Sequence, residues 1–583
     1  MDNRFVWATE DIYENTEAWE KEFEETGKDL DFSEFAGKLG DKKSFLACMK
    51  KQESVSRKIE KLSLYAMLYR DKDTSNSFYG ALSAKVMNLA VKYESAVAFV
   101  TPELTALPEE KLKGYIEDKD LSDYDYMLST LLKSKAHILS EKEEKLLAES
   151  GEALSSFIEI FTKINNADIQ FEKIKNGKET IQLSHGTYGV VMRSHDRNLR
   201  KRAYKSYYKS FENLLNTITS TYYGSVKKDV FNAKARNYGS TLEMALATED
   251  VTKDVYDNLI TSVDKALPLL HEYMRVKKKE LGLKKMYMYD MYVPTVENAE
   301  IELEYDDAYN LVIEGLKPFG KEYGELLKKA HDERWVDVYE TKGKKSGAYS
   351  AGVFDTHPYV LLNYQKTTNE VFTIAHEMGH SMHTYFSNRT QPYAKADYKI
   401  FVAEVASTVN EVMLVNYLLS TAKDDKLKKY LLSYLLEMIR TTLFRQTQFS
   451  EFEQYAHETV EKGEPLTKDG MSAKYAEINE KYYGDAIEKG CEIRYEWARI
   501  PHFYRAFYVY KYATGITSAL AIANRILTEG EPAVKDYFKF LSSGGSDSPV
   551  ELLKIAGVDL TKKEPFEAAF KTFENALEQF KKL

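Results

Sequence analysis

His376 and His380 stand four residues apart with Glu377 beside the first, in the run His376-Glu377-Met378-Gly379-His380. Residues four apart on an α-helix share a face, so both imidazoles can bind one metal ion while the carboxylate, one step round, reaches its open side. The chemistry such a unit predicts is metal-assisted hydrolysis of a peptide bond, with the histidines as zinc ligands and Glu377 as the base that takes a proton from water. With 11 histidines in 583 residues, chance alone would supply the pattern about 0.02 times. Paired histidines can also be ordinary core or surface residues. Here Val371, Ile374, Ala375, Met378, Met382 and Phe386 form an apolar stripe at helical spacing, and Asn388 is a stop signal.

A catalytic zinc takes three protein ligands and keeps a fourth position for water. His383 is the nearest further donor in sequence, but at 1.5 Å rise per residue it lies about 10 Å from His376 along one straight helix, beyond the reach of a shared ion. Glu404 is the better candidate. It opens the next apolar-periodic segment, Ile400-Phe401-Val402-Ala403-Glu404-Val405-Ala406-Ser407-Thr408, and the intervening loop with Pro392 lets two helices fold back on each other. Glu411, two turns further on, is either a partner for a ligating histidine or an ordinary solvated glutamate.

These blocks resemble oligoendopeptidase F, of the thimet oligopeptidase group of zinc metallopeptidases, and the resemblance covers nearly the whole chain. It is carried by residues 7–19, by Gly347-Ala348-Tyr349-Ser350-Ala351-Gly352 and the apolar run to Tyr364, by the motif from His376 to His383, by Phe401 to Thr408, and by Pro501-His502-Phe503-Tyr504. What the resemblance implies is a mainly α, multi-helical, two-lobed fold enclosing a substrate channel, with a small β-sheet near the zinc helix. It further implies an endopeptidase acting on internal bonds of short peptides, one zinc ion on His376, His380 and Glu404, and Glu377 as acid and base. In the thimet-type relatives a histidine and tyrosines in the 501–512 stretch donate hydrogen bonds to the oxyanion. This chain departs from them at the fifth residue after His502, where Phe507 replaces a tyrosine, so the expected donors become His502 and Tyr508, with Tyr504, Tyr510 and Tyr512 as further candidates. Two other readings remain: a zinc exopeptidase of carboxypeptidase or dipeptidyl carboxypeptidase type, and a peptide-binding protein with an inert metal site. The intact Glu377 speaks against the second.

Positioning this chemistry falls to helices. Helical periodicity runs from about residue 16 to 166, with loops expected at 71–75 and 101–109; the resemblance implies helices again from about 196, and residues 198–237 support this with Leu199, Tyr204, Tyr207, Tyr208, Phe211 and Leu214 on one broad face. Residues 427–461 read as one or two long scaffold helices. A hairpin is expected at 169–174 and 180–183 around Asn176-Gly177. A second strand unit, 335–339 and 359–364, precedes the zinc helix as a buttress or as an edge that binds substrate backbone. Gly544-Gly545 opens a loop that is a connector or a hinge. The domain division expected is 1–195, an N-terminal helical region with the hairpin, and 196–583, the catalytic region.

Composition agrees. A hydrophobic share of 43% and a charged share of 30% are values of a globular chain, and 12 prolines, well below an average usage of about 5%, favour long helices. A net charge of -10 argues against a nucleic-acid partner, since phosphate binding needs a basic face. Cys48 and Cys491 make no disulfide framework, the first residues lack a basic region followed by an apolar core, and no stretch could span a membrane. The expected location is the cytoplasm.

Overall fold

Long helices dominate the computed structural model, which describes residues 3–296 and 301–583. Five short strands lie among the described residues: β1 Lys173–Asn176, β2 Glu179–Gln182, β3 Val336–Asp337, β4 Tyr349–Ala351 and β5 Tyr359–Leu361. Four helices carry residues of the candidate site or pack beside them: α1 Thr368–Thr390, α2 Ile400–Thr421, α3 Arg445–Glu461 and α4 Tyr510–Glu529. The expected mainly α, multi-helical fold with small sheets is what is found. The chain divides into two compact units, each built from three separate segments.

The first unit comprises Met1–Ile138, Glu300–Ser420 and Ser518–Asp559. Its N-terminal part is organised by the helix Lys42–Lys72, started by the Asp41 carboxylate accepting from Ser44 N–H, against the helix Ser77–Val97, started by Asn76. Trp19, Phe45, Leu62, Tyr65, Leu82 and Tyr124 fill a core that also takes in Trp7, Tyr359 and Leu361. The first residues are thereby fixed to the sheet: Trp7 Nε1 donates to Val360 O at 2.7 Å, Val338 N to Phe5 O at 3.1 Å, and Tyr359 Oη to Ala8 O at 3.1 Å. The loop expected at 101–109 is instead mostly the helix Val100–Ala106. Pro102 suggested a break, but it sits in the first turn, where its missing N–H has no partner to lose.

The sheet runs in the order β3-β5-β4, with β3 parallel and β4 antiparallel to β5. The unit expected at 335–339 and 359–364 is therefore not a hairpin, because parallel neighbours need a crossover, and that crossover carries β4 to the sheet's edge.

The second unit comprises Leu139–Ala299, Thr421–Thr517 and Leu560–Leu583. Its hairpin β1-β2 pairs Asn176 with Glu179, so the turn is Gly177-Lys178, one residue later than expected, with the positive φ of 60° on Gly177 as in a type II′ turn. The helix Arg197–Asn213 buries Leu199, Tyr204, Tyr207, Tyr208 and Phe211, as its pattern implied. The helices Lys253–Glu280 and Asp425–Ile439 are joined by Glu437, which accepts from Tyr273 Oη at 2.6 Å, Lys277 Nζ at 3.0 Å and Arg440 Nη2 at 2.7 Å. No helix among the described residues is long and apolar enough to cross a membrane.

Candidate active site

Thr367 starts α1 by accepting from Glu370 N–H, and nine residues on the helix presents His376 and His380 on one face. Their Nε2 atoms lie 3.2 Å apart, and Glu404 Oε2 of α2 lies 3.5 Å from the first and 3.8 Å from the second. Zinc bound tetrahedrally by nitrogen and oxygen at about 2.1 Å sets its ligand atoms about 3.4 Å apart. A triangle with the observed sides has its equidistant point about 2.0 Å from each corner. The donor set therefore fits a zinc ion. All three residues are half-buried, which leaves the cluster reachable from one side.

Gly379 explains how α2 comes so close. A Cβ at this position would lie 2.5 Å from Ser407 Cα and 2.7 Å from Ala406 O. The glycine between the two histidines is thus the slot into which α2 fits, and Glu404, one turn earlier on α2, is brought level with them. Asn410 closes the crossing, donating to Ala375 O and accepting from Tyr323 Oη, both at 2.9 Å.

Each histidine is held from behind. Glu411 Oε1 lies 2.6 Å from His376 Nδ1, and His380 is hydrogen-bonded to the carbonyl of Ala403. Such contacts fix the ring and its tautomer, so Glu411 has the supporting position of the two weighed for it. Burial opposes a charge on His376, yet the bond to Glu411 and the carboxylates of Glu411, Glu377 and Glu404 outweigh it and hold the imidazole up at about 9. Burial, with His376 and His383 nearby, pushes His380 down to about 3. Three carboxylates around two imidazoles make a site whose own field favours a cation.

Glu377 is buried and faces β4, where it accepts from Ser350 N–H, while Ser350 Oγ and Ser381 Oγ meet at 2.9 Å. Burial, reinforced by Glu404 and Glu411 against the pull of His376, raises its carboxyl to about 7. His383 is not in the cluster. It is buried and stacked on Tyr398 with ring centroids 3.7 Å apart, beside Phe540. In the Gly544-Gly545 loop, Gly545 N–H donates to Lys395 O at 2.8 Å.

His502 and Tyr508 belong to the second unit and come together there, with ring centroids 6.1 Å apart. Tyr512 completes the group, 6.0 Å from His502 and 5.5 Å from Tyr508. The other two tyrosines turn inward: Tyr504 Oη meets Thr221 Oγ1 at 2.9 Å, and Tyr510 is buried against Tyr256. Phe507 is also buried. Burial and the charge of Arg505 lower the pKa of His502, which favours the neutral ring. Pairing Tyr512 with Tyr508 was within reach of the sequence, since they are four residues apart at a helix start. Ser350 carried no such signal, because a backbone donor has no residue type.

Residues 190–572 match the model of peptidase family M3, and residues 103–171 match that of oligopeptidase F. The chain is 44% identical over 584 residues to oligopeptidase PepF of Bacillus subtilis, across 99% of this chain and 87% of that one. A solved protein from Chlamydophila abortus is similar with a TM-score of 0.94 at 35% identity, covering 100% of this chain and 98% of the other. Oligoendopeptidase-F from Enterococcus faecium gives 0.75 at 36%, covering 97% and 99%.

Proposed function

The chain belongs to peptidase family M3, in its oligopeptidase F branch, and is therefore a peptidase; on that premise we propose that it is a zinc-dependent endopeptidase that hydrolyses internal bonds of short peptides. The observation that carries this reading is the triangle of His376, His380 and Glu404 donor atoms with the buried Glu377 carboxylate beside it. His376, His380 and Glu404 would hold the ion, which supplies Lewis acidity and lowers the pKa of water. Glu377 takes the proton of the attacking water and returns it to the departing amine. Ser350 N–H and the packing of α1 keep that carboxylate aimed. Glu411 and Ala403 hold the two imidazoles in their ligating tautomers. His502 and Tyr508 donate hydrogen bonds to the oxyanion, Tyr512 being the neighbour that shares their face. Beyond Ser350 N–H, which Glu377 holds, the edge of β4 pairs with the substrate backbone by strand addition.

All these residues fall within 196–583, which we take as the catalytic region, with 1–195 as the N-terminal region. The free thiols of Cys48 and Cys491 suit a cytoplasmic enzyme. The test is cleavage of an end-blocked fluorogenic peptide. Internal cuts that cease in Glu377→Gln support the endopeptidase; an end-blocked peptide left intact while the same peptide with free ends is trimmed would replace it with an exopeptidase.

A further inference from the structure

Among the described residues other than glycine, Phe507 is one of four with a positive φ, at 52°. A bulky aromatic side chain in the left-handed region is held there only when its surroundings over-determine it. The surroundings are specific. Phe507 N–H donates to Glu453 Oε1 at 2.7 Å, and the buried Phe507 ring lies 4.7 Å from the ring of His457 and 6.2 Å from that of Tyr256. Glu453 and His457 are one turn apart on α3, and His457 is fixed by its Nδ1 at 2.8 Å from Glu453 O and by Nε2 at 3.4 Å from Asp229 Oδ2.

The consequence lies at the next residue. Immediately after the left-handed residue the chain turns into α4, with Lys511 N–H donating to Tyr508 O and Tyr512 N–H to Val509 O, both at 3.2 Å. That reversal sends the Phe507 side chain into the core and sets Tyr508 and Tyr512 beside His502. An extended or right-handed Phe507 would re-aim the peptide from which Tyr508 departs.

Glu453 is itself an oddity that this role explains. It is fully buried, and among the described residues Oε2 has no hydrogen-bond partner, while Oε1 accepts from Phe507 N–H. A buried carboxyl with half its capacity unused is costly to keep and calls for a reason. We infer that Glu453 is a positioning residue for the reaction: its carbonyl-type acceptor pins Phe507 in the left-handed conformation and thereby aims Tyr508 to stand beside His502. Burial raises the Glu453 carboxyl to about 8, so a neutral acid, or its amide isostere, presents the same acceptor to Phe507.

This inference rests on the reading of Tyr508 as a donor in turnover. The experiment is a double-mutant cycle on cleavage of the end-blocked peptide, with zinc content and melting temperature of every variant measured alongside. Glu453→Leu is expected to lower kcat about tenfold or more with KM within about twofold, Glu453→Gln to keep kcat near wild type, and Glu453→Leu to cost less than about twofold when Tyr508→Phe is already present. A loss from Glu453→Leu that is undiminished in the Tyr508→Phe background marks a merely structural role and overturns the inference, as does an equal loss in Glu453→Gln. Should Glu453→Leu not fold, Glu453→Asp, which withdraws the acceptor by one methylene, replaces it with the same expectations. The two failures are distinct. Tyr508→Phe without effect sinks the donor reading and this inference together, whereas Tyr508→Phe harmful and Glu453→Leu harmless sinks this inference alone.

Discussion

Glu377 and Glu404 lie in one cluster, yet changing them should fail in different ways. Glu377→Gln keeps the shape and hydrogen-bonding reach of the side chain but cannot take up a proton, so zinc content should stay and turnover fall about 10²–10⁴-fold. Glu404→Ala removes a donor atom that stands 3.5 Å and 3.8 Å from the histidine nitrogens, so it should lose zinc first. Normal zinc retention by Glu404→Ala would remove it from the ligand set. Glu411→Gln keeps volume but weakens the 2.6 Å contact to His376, and metal affinity measured by competition with a chelator should drop about 10–100-fold. Unchanged affinity would return Glu411 to an ordinary glutamate. These residues were legible in the sequence because helical spacing places side chains of known chemistry on known faces. Phe507 was not, since its role comes from a backbone angle and a partner 54 residues away in sequence, neither of which residue type announces.

At the scale of elements, the α1–α2 crossing decides whether the ligands meet. Gly379→Ala should force the helices apart, since the new Cβ would stand 2.5 Å from Ser407 Cα, and overpacking of this kind costs about 1–3 kcal/mol. Lower zinc affinity together with a lower melting temperature is expected; a variant unchanged in both would show that the crossing has room. A sequence shows that a glycine is present, but its function as a slot exists only once α2 is laid across it. In the second unit, Glu437 tests electrostatics between two helices. Burial would raise its pKa, but Arg440 and Lys277 hold it far below the ordinary 4.5. A carboxylate depressed on folding stabilises above its unfolded pKa and loses that contribution as pH falls toward the folded value. The melting-temperature advantage of wild type over Glu437→Gln should therefore be full at pH 7 and shrink below about pH 4. An advantage that grows on acidification would reverse the assignment.

The whole molecule adds what no window of sequence contains. Both compact units are discontinuous, and the first joins Met1–Ile138 to Glu300–Ser420. A linear division at 195/196 falls inside Leu139–Ala299 of the second unit and also parts the first, where Trp7, Ala8 and Phe5 are bonded to the sheet that borders the zinc helix. Residues 196–583 expressed alone should therefore fail to form a stable, zinc-loaded protein, by circular dichroism and metal content, despite containing every residue assigned to the chemistry. A folded, zinc-binding 196–583 fragment would contradict that. The helical content itself was readable, since apolar periodicity and few prolines are local properties, whereas the parallel pairing of β3 with β5 depends on contacts that local pattern does not encode.

A zinc endopeptidase whose base is Glu377 must lose turnover, but not metal, when that carboxyl becomes an amide. Wild type and Glu377→Gln are compared for cleavage of an end-blocked fluorogenic oligopeptide, with zinc content determined for both. Internal cleavage by the wild type, its loss in Glu377→Gln, and equal zinc in the two proteins are expected. Zinc bound equally with no cleavage by either, or cleavage that survives in Glu377→Gln, would contradict that assignment.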